Sequence, residues 1–146
     1  MKAIAQDVYG SADVLELRDI DRPSIGADEV LVKVRAAGLD PGVWHLMTGL
    51  PYLVRAMGFG LRRPKVAVRG RDLAGVVEAV GAGVTRIRPG EEVYGTCERG
   101  SLAEYAAAPQ RWLAAKPANV SPLADTPDAI RYLAEGHAAG KVVITL

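Results

Sequence analysis

Cysteine is almost absent: Cys97 is the only one in 146 residues. A lone thiol excludes an intrachain disulfide and any zinc site built from several cysteines. Aromatic residues are scarce too, with one Phe, two Trp and five Tyr, so an aliphatic core is expected. Neither sign of charge dominates. The 18 Lys and Arg against 17 Asp and Glu leave a formal net charge of +1, which argues against a nucleic-acid partner. No run approaches the ~18 apolar residues of a membrane span, and no N-terminal segment resembles a signal peptide. The expectation is a soluble, cytoplasmic protein with no membrane partner. A G-x-G-x-x-G turn between strand and helix is also missing. Gly58-Phe59-Gly60 and Gly81-Ala82-Gly83 come nearest, and neither reaches the third glycine. Without alternating strand–helix units, no dinucleotide-binding fold is predicted.

What is present reads as short strands and turns, within one domain long enough to bury a core. Residues 2–8 and 14–18 read as two strands joined around Tyr9-Gly10-Ser11, with Leu15 and Leu17 alternating with Glu16 and Arg18. Residues 29–36 alternate more clearly, with Val30, Val32 and Val34 on one face and Lys33 and Arg35 on the other. Asp40 and Pro41 then suit the cap and first position of a short helix over 41–48, ended by Gly49. Residues 50–70 show little periodicity. They carry Arg55, Arg62, Arg63, Lys65 and Arg69 with no acidic residue, and Arg71 follows. This basic loop is read either as solvated or as a contact for a dinucleotide phosphate or another domain.

From Gly70 to Thr96 the chain reads as strand, glycine-rich turn, polar turn and strand, with breaks at Gly81-Ala82-Gly83 and Arg88-Pro89-Gly90. Residues 101–108 and 112–117 continue in strand-like fashion, which suggests an antiparallel barrel or sandwich. Thr126-Pro127-Asp128 then opens an amphipathic helix through about Ala138, and residues 141–146 form a closing apolar strand. His137 falls on the apolar face of that helix and reads as structural. Cys97 reads as a buried small hydrophobe.

Three runs together carry a resemblance: Gly70-Arg71-Asp72-Leu73-Ala74-Gly75-Val76-Val77, then Val80-Gly81-Ala82-Gly83-Val84, then Pro89-Gly90-Glu91-Glu92-Val93. They are similar to the G-x-E-x-x-G-x-V…V-G-x-x-V…x-G-D-x-V signature of the medium-chain dehydrogenase/reductase superfamily. The opening residues and the segment EVLVKVRAAGLDPGVWHLMTG resemble its zinc-independent, quinone-oxidoreductase-like branch. The implied fold is mainly β with one or two helices, an α+β chain forming a GroES-like, partly open β-barrel closed by a C-terminal helix and strand. The last 25 residues resemble that family's extreme C-terminus. The resemblance therefore implies one substrate domain in two pieces, 1–121 and 122–146, with a Rossmann domain of roughly 100–150 residues absent between them.

The resemblance also implies the chemistry. Zinc-dependent relatives place a Cys after the strand that corresponds to residues 29–36, and a His in a G-H-E motif. Here Asp40, Arg71 and Asp72 stand at the corresponding positions, so no metal is expected. Asp40, Trp44, Tyr52 and Arg71 are the candidate substrate-lining residues. His45 is read either as a surface helix histidine or as a proton relay, a task that imidazole suits near neutrality. The full-length family implies NADPH or NADH, a small quinone, enone or related carbonyl substrate, and hydride transfer in an interdomain cleft. No cofactor is expected on this chain alone, and inactivity follows. Self-association through the surface left by the missing domain is a further expectation. The alternative is a non-catalytic GroES-like binding or assembly module, which a ring-shaped oligomer would favour.

Overall fold

The computed structural model describes residues 1–116 and 142–145. Eight strands and one α-helix make up its regular structure. In chain order they are β1 (Lys2–Ala5), β2 (Glu16–Asp19), β3 (Glu29–Leu39), α1 (Pro41–Thr48), β4 (Asp72–Val80), β5 (Glu92–Thr96), β6 (Tyr105–Pro109), β7 (Leu113–Ala115) and β8 (Val142–Thr145). Strands β1 and β2 pair as a separate antiparallel ribbon. The rest form a six-stranded sheet in the order β6-β3-β4-β5-β7, with β8 also paired to β3. The ladder does not close on itself among the described residues, and isolated bridges Ala3–Ala103 and Ala5–Val68 attach the ribbon to its rim. A mainly β chain with one short helix therefore agrees with the expected architecture.

Strand β3 is the centre of the sheet. One edge pairs with β4 from Val30 to Ala37. The other is shared, with β6 along Glu29–Lys33 and β8 along Ala36–Leu39. Val30, Val32 and Val34 are buried as their alternation predicts, and they pack with Leu73, Val77, Val93, Leu113 and Ala106 and Ala108 of β6. Small aliphatic side chains fill the core in place of the scarce aromatics. The β3–β4 register slips between Val34 and Ala36, and beyond that slip Ala36, Ala37 and Gly38 are buried in succession. A bulge of this kind redirects the strand end, here toward Asp40 and the helix.

Two local expectations need correction. The alternation over residues 14–18 is the period of a half-buried strand, yet Leu17 is 64% exposed, because the two-stranded ribbon turns that face to solvent. The strand expected over 101–108 begins only at Tyr105, since Ser101 and Leu102 donate their N–H groups to the Arg69 carbonyl at 3.0 and 2.9 Å instead of entering the ladder. The helix expected from Thr126 to Ala138, His137 on it and the 121/122 joint lie outside the described residues. Strand β8 answers to the closing strand expected at 141–146. Among the described residues no helix is long and apolar enough to cross a membrane.

Candidate functional site

The site grows from the end of β3. Asp40 has extended backbone angles, and its Oδ1 accepts the Val43 N–H at 3.1 Å, which caps α1. Pro41 occupies the first turn, where its missing N–H costs nothing. Gly49 ends the helix in the left-handed region at φ +64°, with its N–H donated to the His45 carbonyl at 2.8 Å. Replacing Asp40 with alanine is therefore expected to cost about 1 kcal/mol by thermal unfolding, while Asp40→Asn retains most of that stability. Equal losses in the two variants would show that charge, and not capping, is what Asp40 contributes to the helix.

His45 lies on the cleft side of α1, half-buried, with Nδ1 2.7 Å from the Leu50 carbonyl. A carbonyl only accepts, so Nδ1 carries the proton and Nε2 of the neutral ring is left as an acceptor. The Trp44 ring meets the His45 ring edge-on at 5.1 Å between centroids. Across from the helix, β4 begins at Asp72, whose Cβ would lie 3.0 Å from a Cβ built on Gly38, so β3 and β4 are in close contact there. A cleft of about 430 Å³ lies between these elements, lined among others by Asp40, His45, Met57, Phe59, Arg71 and Thr96.

Of the residues singled out from sequence, Asp40, His45 and Arg71 thus line one cleft. Trp44 and Tyr52 are not among its lining residues, and they are 51% and 71% exposed. Asp72 also lines the cleft. Arg71 brings no ligand for a metal, and among the described residues no group of three or more His, Cys, Asp or Glu side chains is placed to hold one.

The basic loop is not uniform. Arg55 serves the helix: its Nε donates to the Gly49 carbonyl at 3.0 Å and its Nη2 to the Thr48 carbonyl at 3.3 Å. Its guanidinium also lies 4.3 Å from the Tyr9 ring centroid and 4.8 Å from that of Tyr52. A cation on the last carbonyls of a helix is favoured by both hydrogen bonding and the helix dipole. Arg69 departs further from the solvated reading, being only 5% exposed. Arg62, Arg63 and Lys65 are exposed. Nothing in the local sequence distinguishes Arg55 or Arg69 from the others, because their burial is decided by tertiary neighbours.

Of the glycines that come nearest a phosphate-binding turn, Gly81 and Gly60 pack tightly against backbone. A Cβ on Gly81 would lie 2.1 Å from the Gly26 carbonyl oxygen, and one on Gly60 would lie 2.0 Å from that of Arg63. Gly81 and Gly60 are thus held by close backbone approach within the protein, whereas a Cβ on Gly58 would meet nothing within 4 Å.

Comparison with known proteins places this geometry in context. Residues 26–118 match the alcohol dehydrogenase GroES-like domain. The chain is 36% identical over 163 aligned positions to 2-methylene-furan-3-one reductase of Solanum lycopersicum, an alignment covering 100% of this chain and 40% of that protein. It is 37% identical over the same span, with the same coverage, to the chloroplastic NADPH-dependent alkenal/one oxidoreductase of Arabidopsis thaliana. The solved quinone oxidoreductase from Coxiella burnetii superposes with a TM-score of 0.73 at 26% identity, over 94% of this chain and 45% of that one. The chain thus spans about 40% of the length of the curated relatives it matches.

Proposed function

This chain belongs to the alcohol dehydrogenase GroES-like domain family, and from that premise we propose that it supplies the substrate side of an NADPH-dependent, zinc-independent reductase of quinones, enones or related carbonyls. The observation that carries the reading is the one cleft lined by Asp40, His45 and Arg71, with an arginine where a metal ligand would stand in zinc-dependent relatives. A guanidinium can donate to a carbonyl oxygen and stabilise negative charge that develops there, a task that zinc performs in metal-dependent chemistry. His45 has one ring nitrogen committed to Leu50 and the other available to a proton, which suits it to proton exchange in that cleft. When bound elsewhere in a complete enzyme, the nicotinamide would supply hydride. In this reading the chain contributes orientation and electrostatics, and the nucleotide cradle belongs to another part of a complete enzyme.

The test uses the chain as it stands. It is expected to show no NADPH oxidation with a quinone and no micromolar NADPH affinity by calorimetry. A quinone or enone alone is expected to perturb the NMR signals of Asp40–Thr48, and Arg71→Ala to weaken that binding about tenfold, the effect of one charge-assisted hydrogen bond. Turnover or micromolar NADPH affinity would overturn the division of labour. Undisturbed helix signals, or an Arg71→Ala variant that binds unchanged, would overturn the cleft assignment.

A further inference from the structure

A second cavity, of about 240 Å³, adjoins the cleft and is lined by Val43, Phe59, Lys65, Val68, Arg69 and Glu98 among others. Arg69 is the unusual member. Its backbone is locked: the N–H donates to the Ile4 carbonyl at 3.2 Å, and the carbonyl accepts from Ser101 and Leu102 at 3.0 and 2.9 Å. Its side chain is anchored by Nη1, which donates to the Leu46 carbonyl at 3.1 Å. The remaining nitrogens, Nε and Nη2, are buried and have no hydrogen-bond partner among the described residues. These two share the edge of the guanidinium that presents parallel N–H groups, the edge a carboxylate or phosphate meets in bidentate fashion.

An orphaned buried donor is rare in folded proteins, and here two fall on one charged group. Burial pushes the Arg69 guanidinium below its ordinary pKa, and no carboxylate pairs with it among the described residues to offset that. The group needs acceptors, and acceptors alone, because a guanidinium has no lone pair to receive a proton. Lys65, Arg69 and Arg71 bring three positive charges to the cavity against the one carboxylate of Glu98. Val43, Phe59, Val66 and Val68 make much of its wall apolar. The geometry and charge call for an oxyanion with a hydrophobic body.

We propose that this cavity is a binding site for a small organic carboxylate, held bidentate on Nε and Nη2 of Arg69 with its apolar body against Val43, Phe59 and Val68. Lys65 strengthens the binding and Glu98 opposes it. Both guanidinium atoms are shielded from solvent, so the ligand must displace part of the wall. Gly58 and the Phe59 ring are exposed members of the lining: a Cβ on Gly58 would meet nothing within 4 Å, and Phe59 is 40% exposed. The inference goes beyond the proposed reductase role, and its test involves neither cofactor nor turnover, so each stands or falls separately.

Benzoate is a suitable probe, titrated by calorimetry into the full chain alongside inorganic phosphate and the neutral isostere benzyl alcohol. Saturable benzoate binding is expected, about tenfold tighter than phosphate, with none for benzyl alcohol. Lys65→Gln should weaken benzoate binding by about two- to fivefold and Glu98→Gln tighten it by a similar factor, since each is one partly screened charge. Arg69→Met should abolish it, while Arg86→Gln, outside the cavity lining, should leave it unchanged. If Arg69→Met fails to fold by near-UV circular dichroism, the opposite shifts at exposed Lys65 and Glu98 decide the question. Absence of saturable benzoate binding, phosphate binding as tightly as benzoate, or Lys65→Gln and Glu98→Gln shifting the affinity alike would overturn the proposal.

Discussion

Gly75→Ala is expected to destabilise the protein by about 3 kcal/mol or more, with the unfolding midpoint in urea lowered and the slope unchanged. Gly75 lies opposite Val34 in the β3–β4 ladder. A Cβ built there would lie 2.2 Å from the Lys33 carbonyl oxygen and 2.9 Å from Cγ1 of Val32. Relief would require β3 to retreat from β4. It cannot do so freely, because Lys33 is also paired to Tyr105 of β6 along its other edge. The loss would be a large part of the 5–15 kcal/mol that is typical of a folded domain.

Two other glycines separate the causes. Gly75 is not in the left-handed region, so its cost is steric. Gly90 has φ +89° with nothing within 4 Å of an added Cβ, so Gly90→Ala should show backbone strain alone, about 1–2 kcal/mol. At Gly26 the nearest atom would be 3.5 Å away, an ordinary contact, and Gly26→Ala should be close to neutral. Equal losses at Gly75 and Gly90 would refute close strand approach as the cause. Arg71 and Asp72 at the start of β4 and Asp40 just past the end of β3 lie at the same end of this strand pair, so a displaced β4 would also widen the cleft.

What the sequence made legible is the chemistry that acts over a few residues. The Val30, Val32 and Val34 alternation, the Asp40 cap with Pro41, and the Gly49 stop are local signals, and α1 runs over the expected residues 41–48. The glycine at 75 was legible only through the family signature, as spacing alone does not reveal which backbone lies across from it. The bulge at Arg35 was not legible, because the strand alternates without interruption up to it and only pairing with β4 reveals the slip. Leu17 has a strand-like pattern but too few strands around it to cover the face. Arg55 and Arg69 looked like their exposed neighbours. One is drawn in by the free carbonyls at the end of a helix and the other by contacts from Ile4, Leu46, Ser101 and Leu102, all distant in sequence.

Cys97 leads to a pH dependence with a definite sign. Its side chain is fully buried in the core, packed with residues such as Val93 and Leu102, while its N–H donates to the Arg71 carbonyl at 2.8 Å. Burial raises the thiol pKa from 9.0 to about 11, against a smaller lowering by the N–H groups of Gly100 and Arg99. Between those values the unfolded chain releases the thiol proton and the native chain keeps it. Stability from this group is therefore complete below pH 9 and is lost as pH rises through 11. Two pKa units correspond to roughly 3 kcal/mol at the alkaline limit. Lysines and tyrosines titrate in the same range, so the informative quantity is the difference between the native sequence and Cys97→Ala, where their contributions cancel. That difference should shrink by about 2–3 kcal/mol from pH 8 to pH 11 in urea unfolding, and the native thiol should resist a disulfide reagent at pH 8 until the protein unfolds. A difference that stays constant across that interval, or a thiol that reacts at once in the folded protein, would mean that Cys97 is open to water and that the wall behind Arg71 is not closed.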